Sequence, residues 1–272
     1  DRVVVVDSGS TDATCRIAAD LGAEVLQHPW RNYADQFNWA LDQVGGRSDW
    51  IMRLDADEVV SPELHAEISR KLPTLGPEIH GVHVRRHMNF MGDPIRRGGV
   101  FPIEVLRLFR ASAGRCEDRW MDEHIVVQGK TARFTGYILD DNLKPLDWWI
   151  DKHNAYANRE VVDLLNLRHH FLPQETIAQA TGPQARRKRW IKEVIYARLP
   201  LGLRAGAYFL WRFVFRLGLL DSPQGRRFHV LQGFWYRYLV DAKLREVQDH
   251  MRAQSVDPPT AIQAVLGIDV RN

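Results

Sequence analysis

Cysteine is scarce in this chain of 272 residues: only Cys15 and Cys116 are present. Two thiols so widely spaced build neither a disulfide framework nor a metal knuckle, which fits a reducing compartment. Long apolar runs are missing as well. No window offers about 18 or more uncharged apolar residues, so a spanning helix is not expected. The first residues carry no basic-plus-apolar leader, and no signal peptide is expected. There is no internal repeat and no low-complexity linker. Nor is there a Gly-rich phosphate loop with a basic neighbour near the N-terminus, which argues against nucleotidyl transfer onto sugar phosphates.

What is present is globular in composition, 45% hydrophobic and 26% charged, and suits one large domain or a domain with an appendage. A net charge of +3 hides a strong asymmetry. Residues 1–60 hold 11 acidic and 5 basic side chains, a net of −6, whereas residues 181–245 hold 14 basic and 3 acidic, a net of +11. An acidic end suits a cation, and a basic end suits an anionic surface.

The pattern along the first 80 residues alternates strand and helix. Val3-Val4-Val5-Val6 reads as a buried strand running into Asp7-Ser8-Gly9-Ser10-Thr11-Asp12, whose last three residues can cap a helix over 13–21 that Gly22 ends. Residues 23–26 form a second strand. Residues 33–44 have helical spacing and stop at Gly45-Gly46, and residues 50–54 are strand again. Ser61-Pro62-Glu63 opens another helix. Such alternation predicts βαβ units in an α/β fold with a mainly parallel sheet, whose ligands bind beyond the carboxyl ends of the strands. Both acidic clusters, Asp7–Asp12 and Asp55-Ala56-Asp57-Glu58, fall at such ends. Carboxylates crowded at a strand end repel one another, and a hard divalent cation shared with substrate phosphates relieves that repulsion. Further strands are expected at 80–86 and 105–109, a second acidic motif at Met121-Asp122-Glu123-His124, and an aromatic, charged helix over 146–166.

Several stretches together resemble family-2 glycosyltransferases, above all the bacterial branch that builds lipopolysaccharide core and surface polysaccharide. They are Val-Val-Val-Asp-Ser-Gly-Ser-Thr-Asp (4–12), Arg-Leu-Asp-Ala-Asp-Glu (53–58), Arg-Leu-Phe-Arg (107–110) and Trp-Met-Asp-Glu-His (120–124). Ile-Asp-Lys-His-Asn (150–154), Arg-Leu-Pro-Leu (198–201) and Gly-Phe-Trp-Tyr-Arg (233–237) add to the likeness. The resemblance implies a GT-A nucleotide-sugar-binding domain, a nucleoside diphosphate sugar donor, a glycan or lipid-linked acceptor and a Mg²⁺ or Mn²⁺ ion. It implies that Asp7, with Ser8 beside it, holds the nucleobase, that Asp55 lies near ribose and metal, and that Asp57 ligates the metal. The base is assigned to Glu123, with Asp122 as the alternative, and Arg97 and His124 are placed on the acceptor side. One base and one metal imply inversion at the sugar carbon. Family members start with an additional strand, whereas this chain begins at what resembles the second. Two other readings stand beside this one: a non-catalytic remnant of the same fold, and a basic membrane- or nucleic-acid-binding module.

The boundaries read from sequence are 1–145 for the catalytic domain, 146–250 for a helical appendage and 251–272 for a tail. Residues 199–220 are apolar apart from Arg204, Arg212 and Arg216, which share one side of a helix. A cationic face opposite Trp and Phe, preceded by Arg186-Arg187-Lys188-Arg189, predicts peripheral contact with an anionic membrane surface, the inner face of the bacterial cytoplasmic membrane. Aromatics at helical rather than strand spacing make nucleic acid an unexpected partner.

Overall fold

A computed structural model describes residues 2–44, 46–117, 124–172 and 200–271. The chain opens as a βαβ unit. Strand β1 (Val4–Asp7) pairs in parallel with β2 (Glu24–Gln27) across helix α1 (Thr14–Asp20). Gly22, at φ 84°, takes the left-handed turn that returns the chain to β2. The cap of α1 is lighter than expected: Asp12 Oδ1 accepts the Thr14 N–H at 3.0 Å, while the N-cap residue itself, Ala13, offers no side chain.

Helix α2 (Tyr33–Val44) follows, then β3 (Trp50–Met52), β4 (Glu58–Val60) and α3 (Pro62–Lys71). Ser61 caps α3 by accepting the Leu64 N–H at 3.1 Å, with Pro62 filling the first turn. The central sheet is completed by β5 (Ile79–Phe90), the two-residue β6 (Asp93–Pro94), β7 (Ile103–Arg110) and β10 (Lys130–Asp141), in the order β3-β7-β5-β10-β4 with β6 on β5. Strands β8 (Gly114–Cys116) and β9 (Ile125–Val127) make a separate antiparallel pair.

The α/β class stands, but the mainly parallel ladder is corrected. Among the described residues only β1–β2 and β5–β10 run parallel; β3–β7, β5–β7, β4–β10 and β5–β6 are antiparallel. Periodicity identifies a strand and not its partner, and no crossover helix separates β5 from β6 or from β7.

Helix α3 crosses β10 closely. Glu67 is buried there and accepts the N–H groups of Thr135 and Gly136, both at 2.8 Å, across the irregularity between Arg133 and Tyr137. A Cβ at Gly136 would lie 2.4 Å from Leu64 Cα, so only glycine permits the approach. Leu64, Val82, Val84, Leu108, Phe134 and Ile138 fill this core.

The helical part comprises α4 (Leu146–His169), α5 (Leu203–Leu210) with a π-helical turn at Trp211–Phe215, α6 (Pro223–Val230) with a second π turn at Leu231–Trp235, α7 (Tyr236–Gln254) and α8 (Pro258–Leu266). Past α7, Ala261, Ile262 and Val270 are buried in one cluster with residues of α4 and α7. Phe90 of β5 and Ile95, just past β6, meet Trp149 of α4 and Phe228 of α6 in one buried cluster.

The cationic face expected at 199–220 is also corrected. Arg204 and Arg212 are each only 1% exposed. Arg204 donates to Asp241 Oδ1 at 2.6 Å, and Arg212 donates to Gly98 O at 3.2 Å and to Gln232 Oε1 at 2.6 Å. Helical spacing cannot register acceptors so far off in sequence. Of the three arginines only Arg216 is exposed. The basic run at Arg186–Arg189 lies outside the described residues.

Candidate active site

The tip between β3 and β4 concentrates charge. Asp55 Oδ1 accepts from Arg53 Nε at 3.2 Å, and Oδ2 accepts from Arg107 Nη2 at 3.0 Å. Burial works against ionisation of Asp55, but the charges of Arg107 and Arg53 outweigh it and hold the carboxyl below its ordinary range. Arg107 also grips the buried Glu58, whose second oxygen accepts the Asp55 N–H at 3.0 Å. For Glu58 burial prevails over Arg107, and its pKa is raised.

Asp57 stands apart from this lattice. It is half-buried, and its side chain makes no hydrogen bond among the described residues; its backbone carbonyl accepts the Asp141 N–H at 3.0 Å. That bond lays the end of β10 beside the tip. Asp140 sits opposite Glu58 in the β4–β10 register. Its pKa is pushed up to about 6, chiefly by burial, with Arg86 opposing and Asp57 and Glu58 adding repulsion. Lys152 of α4 also acts on Asp140, and its ammonium lies 4.8 Å from the Trp148 ring centroid and 5.8 Å from that of Tyr156.

Asp140 supplies a prediction. Because its folded pKa exceeds the unfolded one, the stability it contributes is complete below about pH 4 and is lost as pH rises through about 6. Asp140→Asn is expected to raise stability by about 1–3 kcal/mol at pH 8 and to change little at pH 4. Urea unfolding at the two pH values measures the difference.

Asp7 ends β1, buried, in a turn of its own making. Oδ2 accepts the N–H groups of Gly9 and Ser10, each at 2.9 Å, and Oδ1 accepts the Ser10 hydroxyl. The Ser10 hydroxyl foremost, then these N–H groups, hold the carboxyl well below its usual range. Ser8 is exposed beside it.

Three consecutive side chains of α2 moor the parts to one another. Gln36 donates to Val6 O at 3.3 Å, the Phe37 ring lies 5.2 Å under the Arg53 guanidinium, and Asn38 exchanges bonds of 2.8 and 2.9 Å with the backbone of Cys116. Successive helical residues point about 100° apart, so one turn can serve β1, the 53–58 tip and β8 at once.

Past β8, Glu117 is buried; its Oε2 accepts the His124 N–H at 3.3 Å and lies 3.7 Å from His124 Nδ1, and its Oε1 has no partner among the described residues. Asp122 and Glu123 lie outside the described residues. Arg97 is exposed on a loop whose backbone is fixed: its N–H donates to Asp221 Oδ2 at 3.1 Å. Trp149 belongs to the core, while Trp148 is 39% exposed. Arg107, Glu58, Asp140 and Lys152 were given no role from sequence. The pair Asp140-Asp141 at a strand end was the available signal for one of them; the others fall within stretches that carry the family likeness, but what each does is visible only from what it touches.

Among the described residues no three His, Cys, Asp or Glu side chains converge as a ready metal cage. Asp57 nonetheless suits a cation that draws its other oxygens from a diphosphate, since Mg²⁺ is usually held by one or two carboxylates plus substrate phosphates. Asp55, with both oxygens engaged by guanidinium groups, is less free to ligate.

Sheets with acids at their strand ends and helices appended are consistent with a GT-A fold. Residues 1–98 match the model of glycosyl transferase family 2. The chain is 33% identical over 250 residues to the lipopolysaccharide core biosynthesis glycosyltransferase LpsC of Rhizobium meliloti (strain 1021), covering 89% of this chain and 82% of that protein. It is 46% identical over 177 residues to the uncharacterized glycosyltransferase RP128 of Rickettsia prowazekii (strain Madrid E), covering 61% of this chain and 59% of that one. The chain belongs to glycosyl transferase family 2 and is a glycosyltransferase.

Proposed function

We propose that the protein is an inverting, metal-dependent transferase. It moves a sugar from a nucleoside diphosphate donor to a lipid-linked or polysaccharide acceptor in envelope glycan synthesis, at the inner face of the cytoplasmic membrane. The observation that carries the reading is the 53–58 tip, where arginines neutralise Asp55 and Glu58 and leave the Asp57 side chain without a hydrogen-bonded partner among the described residues. The likeness to LpsC supports the envelope acceptor.

In this reading Asp7 receives a nucleobase N–H. A carboxylate offers about four lone-pair positions; Gly9 and Ser10 take three, and the Cys15 thiol, a weak donor that a nucleobase N–H can displace, lies against the same carboxylate. Asp55, held in place by Arg53 and Arg107, faces the ribose. Asp57 holds Mg²⁺ or Mn²⁺, which when bound neutralises charge on the leaving diphosphate. Glu123, or Asp122, removes the proton from the acceptor hydroxyl. The three α2 moorings keep these groups in register, and positioning of this kind supplies much of the rate.

Domain division follows the same reading: 1–145 is the catalytic domain, 146–250 the helical appendage on the membrane side and 251–272 the tail. A screen of nucleotide sugars for metal-dependent hydrolysis tests the proposal. One donor should be cleaved, with Mg²⁺ or Mn²⁺ required; no turnover of any donor with either ion would overturn it.

A further inference from the structure

Between Leu203 and Asp241 the only acids are Asp221 and Asp241, and both are buried. Asp241 takes the Arg204 guanidinium and the Gly202 N–H, and Asp221 accepts from Arg97 N–H and from His229 Nε2 at 2.8 Å. The exposed charges in this stretch are therefore cationic: Arg216, Arg226 and Arg227. Beside Arg216, on the π turn 211–215 and the short turn after it, Trp211 is 48%, Phe215 71%, Leu217 47% and Leu220 56% exposed. Clustered aromatic and aliphatic side chains left this open mark a contact surface. Among the described residues no helix is long and apolar enough to cross a membrane.

We propose that this apolar lip, with Arg216, Arg226 and Arg227 at its side, is the face on which the protein lies in an anionic lipid leaflet. The proposal rests on the membrane-side reading above and names the surface that serves it. Trp and Phe enter the headgroup–acyl boundary while arginines meet the phosphates. A second copy fits poorly, because a two-fold contact would set the same arginines together with no exposed acid from this stretch between them.

The lip also points to the side from which acceptor arrives. Arg212 donates to Gly98 O, the Gly98 N–H donates to Arg216 O at 3.0 Å, and Asp221 accepts the Arg97 N–H. Loop 96–99 is thus tied to the lip at three points. It follows the β5–β6 hairpin, and β5 carries Arg86, which lies 3.9 Å from Asp140. An amphiphilic acceptor seated in the leaflet would meet Arg96 and Arg97 first.

The test is flotation of the full chain with phosphatidylcholine vesicles, with or without phosphatidylglycerol, at physiological salt. Binding is expected only with phosphatidylglycerol. Phe215→Ser with Leu220→Ser should weaken it at least tenfold while thermal unfolding stays unchanged, and Arg216→Glu with Arg227→Glu should do the same through charge. Wild type remaining with the buffer, or both double variants floating like wild type, would overturn the lip. So would light scattering that shows a dimer, without lipid, which the Phe215–Leu220 variant dissociates. Donor hydrolysis is read without vesicles. A chain that cleaves donor but ignores lipid therefore sinks the lip alone, and one that floats but cleaves no donor sinks the proposed reaction alone.

Discussion

Asp57→Ala is expected to lower transfer by about a thousandfold, the equivalent of roughly 4 kcal/mol of transition-state stabilisation. The side chain has no hydrogen-bonding role among the described residues, so its loss should leave the thermal midpoint within about 2 °C of wild type. The loss should therefore be chemical rather than structural. Metal-dependent nucleotide binding, read by calorimetry with and without Mn²⁺, should weaken with it. Glu123→Gln should abolish transfer to a similar degree while metal-dependent nucleotide binding persists. The contrast separates a group that holds the donor from one that activates the acceptor. Equal turnover in Glu123→Gln would pass the base to Asp122, and undiminished transfer in Asp57→Ala would remove the cation from this tip.

The second large effect is on stability. Asp241→Ala is expected to cost about 3–5 kcal/mol, because the Arg204 side chain is 0% exposed and loses its facing carboxylate. The Gly202 N–H, 2.7 Å from Asp241 Oδ2, loses its acceptor as well. A fall in Tm of roughly 10 °C follows. Asp241→Asn keeps the shape and part of the bonding and should fall in between. A cost below about 1 kcal/mol would mean that water reaches the guanidinium readily. The pair anchors the start of α5 to α7, so the unfolding midpoint also measures how firmly the lip is seated.

Local signals made part of this fold legible. The bounds of α2 follow from its apolar spacing and the glycines after it, and Ser61-Pro62-Glu63 marks the start of α3 by capping chemistry. The strand ends at Asp7 and Asp55 were visible because β-branched and aromatic runs stop at turn residues. Strand β10 was not read: Thr135 and Gly136 interrupt its apolar alternation where the ladder slips, and that slip exists to receive Glu67. The mixed ladder was hidden for a related reason, since pairing is a tertiary choice. Arg204 and Arg212 looked like a solvated stripe because their acceptors, Asp241 and Gly98, lie far away in sequence. At the site, the acids were legible as acids, but not the division of labour among them. Arg107 settles that division, and nothing near Asp55 in sequence announces it.

The turn of α2 at Gln36, Phe37 and Asn38 has a bearing on any attempt to change which sugar this enzyme handles. It acts as a common mast with three stays, one each to β1, the 53–58 tip and β8. Grafting a foreign 53–58 segment onto this chain would leave two stays set for the old rigging. Such chimaeras should regain function only when the helix is exchanged together with the acids it steadies.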